Sequence, residues 1–176
     1  GSGEEDAAVD AHIRLRERYP NLLTIVVPRH PQRGPDLAAE IKKRGLAVAR
    51  RGGYEPPRDD TELYLADTVG DLGLFYRTAA IAFIGGSLVP HGGQNMLEAA
   101  QLGCAILHGP HVANFRVIAD NLLRRKGIAI LVSKSRHGIP VRNVDDFVRN
   151  GSGNFIRTLC LFNQPSEDKN CAARQR

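Results

Sequence analysis

Nowhere in its 176 residues does the chain carry an apolar run near the roughly 20 residues of a membrane-spanning helix. No signal-peptide pattern is visible either. Cysteine is scarce: Cys104, Cys160 and Cys171 show no metal-ligand spacing and leave one unpaired. A disulfide framework and a cysteine-based zinc site are thereby excluded, and a reducing compartment fits best. Cys104, in an apolar helix-to-strand joint, reads as a small buried hydrophobe. Aromatic residues make up 6% of the chain, and the basic residues are not interleaved with them. The basic residues are scattered apart from Arg50-Arg51 and Arg124-Arg125-Lys126, and no nucleic-acid motif occurs. Nucleic acid is therefore not the expected partner, and a weak pull on anionic lipid headgroups or an anionic ligand explains the net charge of +5 equally well. There is no internal repeat.

What is present suits one domain with a proper core, with 42% hydrophobic and 24% charged residues. Gly1-Ser2 reads as a cloning remnant. Gly3 opens a helix expected to reach about Arg18, with Val9 and Ile13 inward and two acidic residues suiting its dipole. The continuous apolar run Leu22–Val27 predicts a strand buried on both faces. A short helix over Asp36–Arg44, closed by Gly45, and a strand at Ala47–Ala49 follow. The polar, Gly- and Pro-rich stretch Arg50–Asp60 reads as a mobile loop. Further strands are expected at Glu62–Leu65, Ile81–Ile84, Ala105–Leu107 and Ile128–Val132. Between them lie a helix capped by Thr68-x-x-Asp71, one over Gln94–Leu102, and one from near Asn114 to Lys126. The alternation of strand and helix argues for α/β architecture with a doubly wound parallel sheet. After about Arg149 the pattern fails, so residues 151–176 read as an atypical tail attached to a domain over 3–150.

The stretch around which the chain is organised is Ile84–Glu98, IGGSLVPHGGQNMLE. Strand, glycine-rich turn and helix start bring backbone N–H groups close to an anion such as phosphate. Asn95 and Glu98, three apart, share one face of the first helical turn. Asn-x-x-Glu is equally a capping box that only starts the helix, and the residues alone leave both readings open.

Other strand ends carry polar residues to the same edge, where open α/β sheets bind ligands. Arg29, His30 and Arg33 form a rigid turn with two guanidiniums, suited to gripping a phosphate or carboxylate, or simply a solvated surface turn. Thr68 and Asp71 read as helix-capping residues. His108-Gly109-Pro110-His111 with Asn114 forms a further turn, in which His111 is either a ligand contact or a turn-holding residue. His91, His108 and His111 lie near one edge without a helical His pair or cysteine cluster, so no metal is expected. Gly85-Gly86-Ser87 is not the dinucleotide fingerprint of a dehydrogenase.

The wording GGSLxxxGGxN, xxEA and GPHxxNF (Gly109–Phe115), with Pro-Arg-His-Pro-x-Arg at Pro28–Arg33, closely resembles the C-terminal half of the Kdo transferases. These enzymes move 3-deoxy-D-manno-octulosonic acid (Kdo) from CMP-Kdo to a lipid A precursor. The resemblance covers roughly Gly3 to Asp146. It implies the Rossmann-like, donor-binding half of a two-domain GT-B type glycosyltransferase in lipopolysaccharide biosynthesis, at the cytoplasmic face of the bacterial inner membrane. It implies donor-nucleotide contacts from Arg29, His30, Gly86, Ser87, Gly93, Asn95 and Glu98, with Arg33, His111 and Asn114 as further candidates. Glu98 would accept hydrogen bonds from ribose hydroxyls. No cofactor beyond the donor substrate is implied, and the catalytic base is expected in an N-terminal domain outside this chain. In the family the Gly-Glu-Glu of Gly3–Glu5 follows a strand ending in Thr-His, so a sheet short of one strand is expected. Gln94 and Met96 stand where members often have His and Pro, leaving Asn95 and Glu98 in place. The competing readings are another GT-B enzyme using a uridine nucleotide sugar, or a non-enzymatic module for anionic surfaces. Preference for cytidine, or vesicle binding without nucleotide response, separates them.

Overall fold

The structure is a computed structural model that describes residues 3–124, 129–131 and 158–162. In chain order the elements are α1 (Gly3–Arg16), β1 (Leu23–Val27), α2 (Gly34–Lys43), β2 (Val48–Arg50), β3 (Leu63–Leu65), α3 (Leu72–Thr78), β4 (Ile81–Ile84), α4 (Leu97–Gln101), β5 (Ala105–His108), α5 (Arg116–Arg124), β6 (Ala129–Leu131) and β7 (Thr158–Phe162). Short 3-10 turns at Pro31–Arg33 and Ala113–Phe115 lead into α2 and α5. The seven strands form one sheet in the order β2-β3-β1-β7-β4-β5-β6, and every pair is parallel.

Strand periodicity sorts the core into two layers. Successive side chains of a strand point to opposite faces, and both faces of this sheet are covered. Ile25 and Val27 of β1 join Tyr64, Ala66, Ala82 and Ile84 on one face, under Phe75 and Tyr76 of α3 and Ala99 of α4. Val26 joins Leu63 and Leu65 on the other face, under Val9 of α1 and Leu37 and Ile41 of α2. Each fully buried leucine or isoleucine of this kind stabilises the fold by about 1.5–3 kcal/mol. Ile13 packs half-buried against the second layer. Helices thus lie on both faces, as a doubly wound sheet requires.

Several local expectations change. Residues 158–162, which the sequence groups with an atypical tail, form β7 between β1 and β4, paired with both. The sheet expected to be short of a strand therefore has its middle position filled. The remainder of the tail and Lys126 lie outside the described residues. The helix after the glycine-rich stretch is shorter than expected, because Gly92 and Gly93 hold positive φ and the chain turns helical only at Leu97.

The Thr68–Asp71 pair does not cap α3. Asp71 is the N-cap residue but makes no side-chain cap bond. Its carboxylate instead accepts hydrogen bonds from Arg51 Nε (2.6 Å), Arg51 Nη2 (3.0 Å) and the Thr68 hydroxyl (2.7 Å). The guanidinium, followed by the Thr68 hydroxyl, holds Asp71 below the usual carboxylate range. One residue earlier, Arg50 donates twice to Asp67, whose other oxygen accepts from the Gly52 amide at 2.7 Å. The loop that the sequence marks as mobile is therefore tied down at its root by two ion pairs. Arg51 also lies over the Phe75 ring, 5.5 Å from its centroid.

Cys104 behaves as expected. It is buried and free, its Sγ lies 3.0 Å from the Tyr76 carbonyl, and burial pushes its thiol up to about 11. Among the described residues no helix is long and apolar enough to cross a membrane.

Candidate functional site

The sheet changes direction of winding at its middle: β1 leads outward to β3 and β2, and β4 leads outward to β5 and β6. A crevice at the carboxyl ends of the strands is the expected ligand position at such a switch point. The loops after β1, β4 and β5 meet this edge, as does the N-terminus of α1.

The loop after β4 is fixed from below. Gly86 adopts φ +66°, a conformation that brings successive amides round to one point. The Gly86 amide donates to Glu4 Oε2 at 2.6 Å, while the Ser87 and Leu88 amides donate to Glu4 Oε1 at 3.0 and 2.9 Å. Glu4 lies in the first turn of α1 and is buried. Ser87 is also fully buried; its hydroxyl donates to the Ile84 carbonyl and accepts from the Gly109 amide at 2.8 Å. The Gly93 amide donates to the Gly86 carbonyl at 2.9 Å. The polar groups of the expected phosphate cradle at Gly86 and Ser87 thus have partners within the protein.

The β4 and β5 loops are closed on each other. The His111 amide donates to the Ser87 carbonyl at 3.0 Å, and the Asn114 amide to the Gly92 carbonyl at 3.1 Å. Gly92, at φ +86°, leaves room for the Asn114 side chain, whose Nδ2 would lie 2.4 Å from a Cβ there. Buried His108 has its Nδ1 on the Gly109 carbonyl at 2.8 Å. His111 and Asn114 themselves are exposed on the rim.

Asn95 and Glu98 divide the two roles that their spacing allows. Asn95 Oδ1 accepts the Leu97 amide at 3.0 Å, an Asx-type turn bond that leads into α4, while Met96 occupies the N-cap position. Glu98 does not complete the capping box. It is half-buried, and its side chain makes no hydrogen bond or ion pair among the described residues. Its Oε1 stands over the first turn of α3, 3.2 Å from where a Cβ on Gly73 would be.

On the other side of β7 stand the residues that follow β1. Arg29 and His30 are exposed and Arg33 is half-buried, and their side chains have no partner among the described residues. Two inter-strand spacings, about 10 Å, separate β1 from β4, a span that suits a nucleotide lying across the edge. Gly34 lets the chain pass Asp67 closely, since a Cβ there would come within 1.9 Å of Asp67 Oδ2.

The sequence reading missed Glu4 as part of this edge. In the sequence it reads as an acidic residue suited to a helix start, within the Gly-Glu-Glu of Gly3–Glu5, and its partners lie more than 80 positions away. A separate open groove of roughly 540 Å³ runs along the outer strand β2, lined by Leu46, Val48, Tyr54, Pro56 and Arg58 among others. It holds none of the expected site residues. Among the described residues no group of three or more His, Cys, Asp or Glu is placed to hold a metal ion.

No protein-family model matches the chain. It is 39% identical over 127 residues to a 3-deoxy-D-manno-octulosonic acid transferase of Haemophilus influenzae, a match covering 72% of this chain and 30% of that protein. It is 40% identical over 121 residues to the transferase of the same description in Bordetella pertussis, covering 68% of this chain and 28% of the other. The chain therefore spans less than a third of the length of these curated relatives. Among solved structures, the C-terminal CMP-Kdo binding domain of WaaA from Acinetobacter baumannii aligns with a TM-score of 0.58 at 23% identity, covering 72% of this chain and 82% of that one. The fold is accordingly the Rossmann-like, doubly wound parallel sheet shared with that domain. By sequence, the chain belongs to the Kdo transferase family.

Proposed function

We propose that this chain binds the nucleotide of CMP-Kdo at the carboxyl edge of its sheet, as the donor-binding part of a Kdo transferase. The observation that carries this reading is the contrast along the edge. The Gly86, Ser87 and Gly93 amides are engaged internally, whereas the side chains of Arg29, His30, Arg33 and Glu98, on the two sides of the switch point, have no partner among the described residues.

CMP-Kdo carries a phosphate and a carboxylate, which arginine grips through paired N–H donors. Arg29 takes the first of these contacts, with His30 and Arg33 beside it. The Glu98 carboxylate accepts hydrogen bonds from the ribose hydroxyls, a positioning role without proton transfer. Gly93, Asn95, His111 and Asn114 shape the rim. Arginine neutralisation of the leaving CMP removes the need for a metal ion, and the donor serves without a further cofactor.

The whole protein then works as an inverting transferase. A base contributed by another part of it deprotonates the hydroxyl of a lipid A precursor, the oxygen attacks Kdo C2, and CMP leaves. Such an acceptor places the reaction at a membrane surface, on the cytoplasmic face of the bacterial inner membrane. The test is calorimetric titration of the protein with CMP and UMP in parallel. Tighter binding of CMP is the expected result. Equal affinity would favour a uridine-sugar enzyme, and binding to anionic vesicles with no nucleotide response would favour a surface-docking module.

A further inference from the structure

We infer that Glu4 is the resident anion of the glycine-rich turn, a positioning residue that keeps external phosphate out of it. Three successive amides, Gly86, Ser87 and Leu88, converge on the Glu4 carboxylate, with the left-handed φ of Gly86 at their start. Concave runs of N–H groups of this kind are anion sites, and the ligand seen here is a side chain of the protein itself. Glu4 is 5% exposed and sits in the first turn of the 14-residue α1, where the helix dipole favours its negative charge.

The carboxylate also sets the geometry beyond the turn. It fixes the Ser87 backbone, whose carbonyl accepts the His111 amide and whose hydroxyl accepts the Gly109 amide. The rim that carries His111 and Asn114 is therefore positioned from α1, through one side chain. For the donor proposed above, and resting on that proposal, the consequence is specific: its acidic groups meet Arg29 and Arg33 and not the turn amides.

The experiment is a titration with inorganic phosphate, followed by the amide resonances of isotope-labelled parent, Glu4→Gln and Glu4→Ala proteins. In the parent, the Gly86, Ser87 and Leu88 amides should not respond. In Glu4→Ala they should show saturable phosphate-dependent shifts, with a thermal midpoint that phosphate raises more than in the parent. Glu4→Gln keeps an acceptor oxygen but no charge, so it should fold with at least about tenfold faster hydrogen exchange at the three amides. Phosphate-dependent shifts of these amides in the parent would overturn the inference. So would a folded Glu4→Ala protein that gains no response. If Glu4→Ala does not fold, unchanged exchange in Glu4→Gln overturns it. Because no nucleotide is used, the result stands apart from the donor reading, which is tested separately by the CMP and UMP titrations.

Discussion

Gly109 and Ser87 lie so close that a Cβ on Gly109 would stand 2.2 Å from the Ser87 carbonyl oxygen. The neighbour is backbone, held in turn by the His111 amide, so it has no free rotation with which to yield. Gly109→Ala should therefore destabilise the protein by about 1–3 kcal/mol through forced backbone displacement. Chemical denaturation checks this, and an unchanged midpoint would mean that the two loops slide freely.

Asp67 is a second tight point. Its side chain is 1% exposed, and it accepts from Arg50 and from the Gly52 amide. Asp67→Ala leaves a largely buried guanidinium without its partner and should cost about 3 kcal/mol, the low end for such pairs. Asp71→Ala, which cuts a more exposed pair with Arg51, should cost no more than about 1 kcal/mol. Urea denaturation of the two variants in parallel tests the ordering.

Acid should loosen the packing of α1 on the sheet. His12 is buried with Nδ1 on the Thr24 hydroxyl, and Nε2 lies 3.9 Å from Glu62. Burial lowers its pKa, against the opposing pull of Glu62. As pH falls through the ordinary imidazole value, near 6.5, the unfolded chain takes up the proton before the folded one, and stability drops. Glu62 acts in the same direction at lower pH. Burial raises its carboxyl, but the Ala47 amide and Arg16 together outweigh that and leave it lowered. Its contribution is present above the ordinary carboxylate value and is lost as pH falls through the folded one. Denaturation midpoints should fall steadily from about pH 7.5 to pH 5, and His12→Gln should flatten the part of the curve near pH 6.5.

The fold was legible where local pattern and tertiary role coincide. Leu22–Val27 reads as a two-face buried strand and is one, less its first residue. Asn95 announces a helix start, and its side chain accepts the Leu97 amide just before α4, although Met96 takes the N-cap position itself. The sequence was silent where partners are distant. Asp71 looks like a capping residue because Thr-x-x-Asp is a local signal, but Arg51, twenty positions earlier, claims the carboxylate. Glu4 and the turn at Gly86 illustrate the same limit over the longest span. Thr158–Phe162 lies beyond the repeating strand–helix pattern, so nothing nearby marked it as the central strand β7.

If Arg29 and Glu98 hold the donor, their loss should weaken binding without weakening the fold, because neither side chain has a partner among the described residues. Arg29→Ala removes charge-assisted hydrogen bonds and should reduce CMP affinity about tenfold or more. Glu98→Ala should do the same for CMP and leave binding of free phosphate nearly unchanged. Calorimetry, with thermal melts to confirm intact folding, separates these effects from simple destabilisation.

The first measurement to make is a CMP titration of isotope-labelled protein, read residue by residue from the amide shifts. Saturable shifts at Arg29, His30, Asn95 and Glu98, with Val48 and Tyr54 of the β2 groove unmoved, are the expected result. Shifts confined to that groove, or none at the four edge residues, would contradict nucleotide binding at the carboxyl edge of the sheet.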